Sequence, residues 1–238
     1  KKIPIPSSLT EGRLSPQAEM LAVDHKKGEL YIGIPKVETN LENRIALVPS
    51  AVQALTAQGH RVVIEAGAGA KANYSDLRYS EAGAEIVYEK EKVFNAHVVL
   101  QVAPPTMDEI SRFHPNQVII SPLHLPAITE EFIDALRKKK VLALAMEYIQ
   151  DDSGSFPFVR VMSELAGMSA MLTAAELLAT TSGGKGVLLG GIAGVPPTKV
   201  VILGAGVVGV SAVRVALGLG ADVRVFDNNV YKLMRLQQ

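Results

Sequence analysis

The sequence predicts an α/β chain: two Rossmann-like, doubly wound parallel-sheet domains joined by a long helix, with the second domain incomplete. Three observations predict it. From Leu30 onward, short β-branched runs alternate with longer amphipathic stretches, the alternation that builds a parallel sheet covered by helices. A helical run of small and apolar residues, "VMSELAGMSAMLTAAELLATT", then interrupts the alternation. A second strand, glycine turn, helix and strand follow between Val200 and Asn229, close to the last residue, Gln238. These divide the chain into an arm at 1–29, a first sheet domain at 30–160, a connecting helix at 161–182 and the start of a second domain at 183–238.

The arm carries prolines at positions 4, 6 and 16 and reads as extended, with one helical turn expected near "SPQAEMLAVD". The first domain opens on "LYIGIP". The runs "HRVVIEA", "EIVY", "HVVLQV", "QVIISPL" and "KVLALAM" follow as strands, since short apolar runs bounded by turns suit strands buried on both faces. Between them, "PSAVQALTAQG", "SDLRYSEAG", "TMDEISRF" and "TEEFIDALRKKK" have helical spacing. Ser50 and Thr129 are the expected N-caps, the latter with Glu130 and Glu131 in the first turn. In the long helix, Ala166, Gly167, Ala170 and Ala174 permit close approach of another helix. A buried core helix and a connector between domains both fit that pattern; the second α/β pattern straight after it favours the connector.

Composition removes several functions. Apolar residues make up 48 % and charged residues 20 %, the balance of a globular protein with an ample core. The 24 basic and 24 acidic residues cancel, so no basic field draws nucleic acid. Six Phe, six Tyr and no Trp give no base-stacking platform. The absence of cysteine excludes disulfides and thiolate zinc sites and suits a reducing cytoplasm. The histidines show no metal-ligand spacing, so no metal is expected. The least polar stretch, Val200–Val213, is shorter than the roughly 20 residues of a membrane span. The N-terminus lacks the apolar core of a signal peptide. No membrane and no nucleic-acid partner is expected; a small molecule is.

Gly204-Ala-Gly206-Val-Val-Gly209 follows the strand "KVVIL" and opens a helix, the context in which this triplet indicates a dinucleotide site. Gly204 permits the tight turn, Gly206 the approach of a pyrophosphate, and Gly209 close packing of helix on strand. The N–H groups of Val207 and Val208 at the helix start favour phosphate. Asp227 ends the next strand, eighteen positions after Gly209, where a carboxylate accepts both ribose hydroxyls and repels a 2′-phosphate. NAD is therefore expected over NADP. The bland alternative is a tight βα turn in some other α/β protein.

Two residues of the first domain stand at strand ends, where an open parallel sheet binds ligands. Arg44, after the first strand, presents a fork that matches a carboxylate; a surface ion pair is the alternative. His124, in "VIISPLHLPAIT", is placed to polarise or protonate a carbonyl; a core histidine with a satisfied ring is the alternative.

The segments "IGIPKVETNLENRIALVP", "GHRVVIEAGAG", "AGAEIV", "LHL", "MSELAG", "GGKGVLLGGIAGVPPTKVVILGAGVVG" and "GLGADVRVFD" resemble the family of alanine dehydrogenases and pyridine nucleotide transhydrogenase α-subunits. The resemblance covers residues 30–238, with "LHL" pointing to the dehydrogenase branch. It implies NAD-linked interconversion of L-alanine with pyruvate and ammonia by a cytoplasmic homo-oligomer, a hexamer or a dimer. It also implies a substrate domain at 30–160 and an NAD-binding domain beginning at 183. On this pattern Arg44 holds the substrate carboxylate and His124 is the acid/base. Ser163, Val207, Val208, Asp227 and Lys232 touch the cofactor. The catalytic aspartate of the family falls beyond Gln238.

The chain departs from the family where the dehydrogenases carry a "KVKEP"-like segment. It has "QVAPP", Gln101–Pro105, with Ala103 at the position of the substrate lysine, and Pro122 where tyrosine is frequent. That segment is nearer the transhydrogenase wording. A transhydrogenase α-subunit-like NAD-binding domain and a non-catalytic NAD-binding paralogue are therefore the alternatives.

Overall fold

The computed structural model describes residues 28–39 and 42–236; the helical turn expected in the arm lies outside them. The described residues fall into two compact units, divided between Met146 and Glu147 and taken separately below.

The first unit holds six parallel strands, β1 (Tyr31–Ile34), β2 (Arg61–Glu65), β3 (Glu85–Val87), β4 (Val98–Leu100), β5 (Val118–Ser121) and β6 (Leu142–Ala145), in the order β3-β2-β1-β4-β5-β6. The chain winds outward from β1 through β2 to β3, then returns to the far side of β1 to lay down β4. The switch point of this doubly wound sheet thus lies between β1 and β4. All six expected strands are present. Helices α1 (Pro49–Ala57), α2 (Asp76–Glu81), α3 (Lys90–Phe94), α4 (Met107–Arg112) and α5 (Glu130–Lys139) connect them. The short α3 has no counterpart among the expected helices, because five residues are too few for a period to register.

Strand β2 shows why these runs read as continuously apolar. Val63 joins a core cluster with Val93, Phe94, Val99, Ile119 and Leu136 on one face. Its neighbours Val62 and Ile64 join Ile32, Val52 and Tyr79 on the other. Both faces are covered, so alternation is lost. The edge strand β6 is less enclosed, with Leu142 and Leu144 exposed.

The helix starts follow local chemistry. Thr129 caps α5, its hydroxyl accepting the Phe132 N–H. Thr106 and Glu109 form a reciprocal capping box on α4. Ser50 does not cap α1: that helix begins one residue earlier, at Pro49, with Val48 as N-cap. The proline ring presets the first helical φ and needs no N–H partner there, so Ser50 lies inside the first turn.

The second unit pairs parallel strands β7 (Lys199–Leu203) and β8 (Asp222–Phe226), with α6 (Pro157–Leu178), α7 (Val207–Gly218) and α8 (Val230–Met234). The long helix starts and ends four residues before the expected span, since Pro157 occupies its first turn. By length and composition α6 qualifies as a membrane span, which corrects the expectation that no stretch is long enough. Its Met171 packs with Ala212, Ala216, Leu189 and Ala221, while Phe158, Val161, Leu165, Leu172 and Leu177 of the same helix are exposed. Gly167 sets the approach of α6 to α7: a Cβ there would stand 2.2 Å from the Val208 carbonyl oxygen. Val200 and Ile202 of β7 face this core, while Val201, Leu203 and Phe226 are exposed.

Candidate functional site

The glycine turn joins β7 to α7, and its three glycines are needed for three different reasons. Gly204 has φ +105°, a backbone conformation that side chains rarely adopt. A Cβ on Gly209 would meet the Gly204 carbonyl oxygen at 1.9 Å, so the helix could not close on the turn. Gly206 is unlike both. Its φ of −76° suits any residue, and a Cβ there would meet no protein atom within 4 Å. Internal packing places no demand on Gly206, and the open space beside it is what an incoming ligand requires.

Gly206 is also the N-cap of α7, which has no side-chain cap and no acidic residue in its first turn. The N–H groups of Val207 and Val208 thus stand at the positive end of the helix dipole with no acidic residue in the helix's own first turn. A cleft of about 340 Å³ adjoins the turn, lined by Gly204, Phe226, Asp227 and Asn228.

Asp227 is tied into this turn. One carboxylate oxygen accepts the Ala205 N–H at 2.7 Å, the other the Asn229 N–H at 2.8 Å. The Ala205 amide, then the Asn229 amide and the charge of Lys232, hold its carboxyl below the ordinary value of 3.8. Charged, the group is a pure acceptor with lone pairs remaining on each oxygen, so it takes hydroxyl donors. Lys232 lies on α8, which Asn229 caps through its side chain. Ser163 lies on α6 one turn before Gly167, on the same face. Gly167 faces Val208, Ser211 and Ala212, while Met171 packs with Ala212 and Ala216. The two helices thus run in the same sense here, and Ser163 stands toward the end of α7 that carries the glycine turn.

In the first unit, the carboxyl ends of β1, β4 and β5 are adjacent. The segments that follow them carry Arg44, Ala103 and His124, so the topology brings these residues to one edge of the sheet, beside the switch point. Arg44 is half exposed and paired with Glu42. One Glu42 oxygen accepts both the Arg44 backbone N–H and Nε, the other Nη2 at 2.7 Å. The Arg44 side-chain bonds, with its charge, hold the Glu42 carboxyl low. The ion pair of the bland reading is therefore real, and it orients the fork. The sequence offered no signal for Glu42, because a Glu-x-Arg spacing in a loop has no fixed geometry. Downstream, the Tyr79 hydroxyl donates to the Leu47 carbonyl at 2.9 Å and anchors the segment that carries Arg44.

His124 is exposed, which excludes the core-histidine alternative. Its φ and ψ, 52° and 53°, are left-handed. Ala103 is half-buried, and its carbonyl accepts the buried Gln101 side-chain amide at 2.8 Å. The other described histidines have partners of their own: His60 accepts the Leu30 N–H, His97 meets the Tyr31 ring edge-on, and His114 bonds Asn95. Among the described residues no cluster of His, Asp or Glu is placed to hold a metal ion.

Residues 33–166 match the family model described as alanine dehydrogenase/PNT, N-terminal domain, and residues 170–238 the corresponding C-terminal domain. Alanine dehydrogenase 2 of Staphylococcus aureus (strain USA300) is 43 % identical over 207 residues, covering 87 % of this chain and 55 % of that protein. A solved L-alanine dehydrogenase superposes with a TM-score of 0.82 at 40 % identity, covering 87 % of this chain and 57 % of the other. A transhydrogenase from Sinorhizobium meliloti gives 0.78 at 30 % identity, covering 87 % and 61 %. The chain spans about half the length of the curated relatives it matches.

Proposed function

The chain belongs to the alanine dehydrogenase/PNT family, and we propose on that premise that the whole protein is an NAD-dependent amino-acid dehydrogenase. It converts L-alanine to pyruvate and ammonia, and the reverse. Gly206 carries the proposal: neither its φ nor its packing calls for glycine, while a pyrophosphate lying against its backbone does. Gly204, Gly209, Val207, Val208, Asp227, Ser163 and Lys232 complete the cofactor site. NAD held there would supply the hydride acceptor for oxidation at the substrate Cα. Asp227 selects NAD over NADP, because its charge meets the 2′ position.

Arg44, oriented by Glu42, binds the substrate carboxylate. His124 serves as acid/base at the substrate oxygen: in the forward direction water adds to the imine carbon left by hydride loss and ammonia departs as the carbonyl forms, and in reverse ammonia adds and water leaves. With Ala103 in place of a lysine, the clamp lacks the second cation that the family resemblance implies, and the substrate is held weakly. The arrangement at 1–29, 30–160, 161–182 and 183–238, the cytoplasmic location and the homo-oligomer, hexamer or dimer, belong to the same proposal. They rest on the family resemblance and on a composition without cysteine.

Ala103 also favours a second reading, a transhydrogenase α-subunit-like NAD-binding domain. The same substitution leaves a non-catalytic NAD-binding paralogue as a third. Steady-state kinetics of the full-length protein with a panel of amino acids and NAD decide among them. NADH formation with L-alanine, abolished by His124→Ala, supports the dehydrogenase. Hydride exchange between NADH and an NADP analogue without amino acid supports the second reading. NAD binding with no oxidation of any amino acid supports the third.

A further inference from the structure

Four described non-glycine residues have positive φ: Asn73, Asn116, His124 and Lys140. Asparagine tolerates this backbone through local hydrogen bonds. Lys140 ends α5, where a left-handed residue is ordinary. His124 does the reverse, since it opens a turn instead of closing one: it is the N-cap of the 3₁₀ turn Leu125–Ala127. Cap residues at that end ordinarily keep extended backbone. The left-handed state of a residue bearing a Cβ persists only where its surroundings over-determine it.

Those surroundings are short and identifiable. Leu123, immediately before, is buried and fixes the end of the β5 segment. The His124 carbonyl accepts the Ala127 N–H at 2.7 Å, a bond that forms only with the turn closed. Pro126 sits inside that turn. Its ring presets φ near the helical value, and its missing N–H would be an orphan in a first turn in any case. By strand alternation His124 falls on the face opposite buried Ser121 and Leu123, and it is exposed just past the carboxyl end of β5, where its left-handed backbone turns the chain into Leu125–Ala127.

We propose that Pro126 is a positioning residue: by stiffening the turn it holds His124 left-handed and so aims the imidazole along one direction. This rests on the reading of His124 as the acid/base. Replacing the proline leaves the imidazole in place but frees the turn to open, letting His124 relax to extended backbone and swing its ring away. Proton transfer suffers, since it depends on placement to fractions of an ångström. Binding of NAD and of the carboxylate does not, because neither uses this turn.

The test is carried out on the full-length protein with Pro126→Gly and, as the conservative variant, Pro126→Ala. Pro126→Gly should lower kcat about fivefold or more, with KM for alanine and Kd for NAD within about twofold of wild type. Pro126→Ala should fall between. Unchanged kcat in Pro126→Gly overturns the proposal, as does a joint worsening of kcat, KM and NAD affinity, the sign of general damage. Should Pro126→Gly fail to fold, Pro126→Ala is decided on the same split between kcat and KM. His124→Gln separates the two readings. If it keeps wild-type turnover, the acid/base reading fails; if it is inactive while Pro126→Gly is normal, only the role of Pro126 fails.

Discussion

The carboxylate of Asp227, just past the end of β8, accepts the backbone N–H of Ala205 in the glycine turn at 2.7 Å. One side chain therefore braces the glycine turn and, in the proposed function, also presents acceptors to a ribose. Hydrogen bonds to a charged acceptor are stronger than those between neutral groups. Asp227→Ala should thus weaken NAD binding by about tenfold or more and abolish discrimination against NADP. Calorimetric titration with both nucleotides checks this, and unchanged NAD affinity would contradict the assignment. The folded carboxyl titrates below its ordinary value of 3.8. Its contribution is therefore present above that pH and lost only as pH falls through the lowered value.

Gly206 and Gly209 should separate stability from binding. Gly206→Ala introduces no clash and no strained φ, so stability should change by no more than about 0.5 kcal/mol, while NAD affinity drops at least tenfold. Gly209→Ala forces its methyl into the Gly204 carbonyl and should lower the melting temperature by several degrees. A Gly206→Ala protein that binds NAD normally would remove the main support for a pyrophosphate at this turn.

Gly167 fixes the distance between α6 and α7, with Val208, Ser211 and Ala212 against it. Gly167→Ala must push the helices apart or bend one of them, and overpacking of this kind costs about 1–3 kcal/mol. Because α7 begins at the glycine turn, NAD affinity should fall along with thermal stability. A melt of the variant at wild-type temperature would show that the helices have room to spare.

Tyr79 is fully buried, and burial pushes its hydroxyl from 10.0 up to about 12. A folded pKa above the unfolded one means that the unfolded chain loses its proton first as pH rises. Stability should therefore hold below pH 10 and decline between about 10 and 12. Tyr79→Phe should flatten that decline, at the expense of the bond to the Leu47 carbonyl. Alkaline thermal melts of both proteins check the difference.

The carboxylate clamp yields the last expectation. Arg44 is already paired with Glu42, which offsets part of its charge. Ala103→Lys in the full-length protein should lower KM for alanine by about ten- to a hundredfold, from a second charge-assisted contact of roughly 1.5–3 kcal/mol. Arg44→Ala should raise KM with less effect on kcat. A KM for alanine indifferent to both changes would place the carboxylate elsewhere.

Residue order and period alone determined the six strands of the first sheet, the long helix and the strand–turn–helix–strand of the second unit. Each is a local pattern: β-branched runs that must be buried on both faces, helical spacing between them, and a glycine triplet whose first member needs φ +105°. What no local pattern holds is which groups meet across the chain. That Asp227 braces Ala205 and that Gly167 admits α7 are contacts fixed by how elements pack, while the grip of Glu42 on Arg44 is a loop geometry that a two-residue spacing leaves open. That Arg44, Ala103 and His124 share one sheet edge follows from strand order, which places β4 beside β1 after the chain has gone out to β3. The N-cap expected at Ser50 failed for the same reason in miniature: two start signals stood side by side, and the ring of Pro49, with its φ already set, took the first helical position. The sequence states which residues favour a strand, a turn or a helix. Only the folded chain decides which of their polar groups find one another, because those bonds depend on distances that close through tertiary packing.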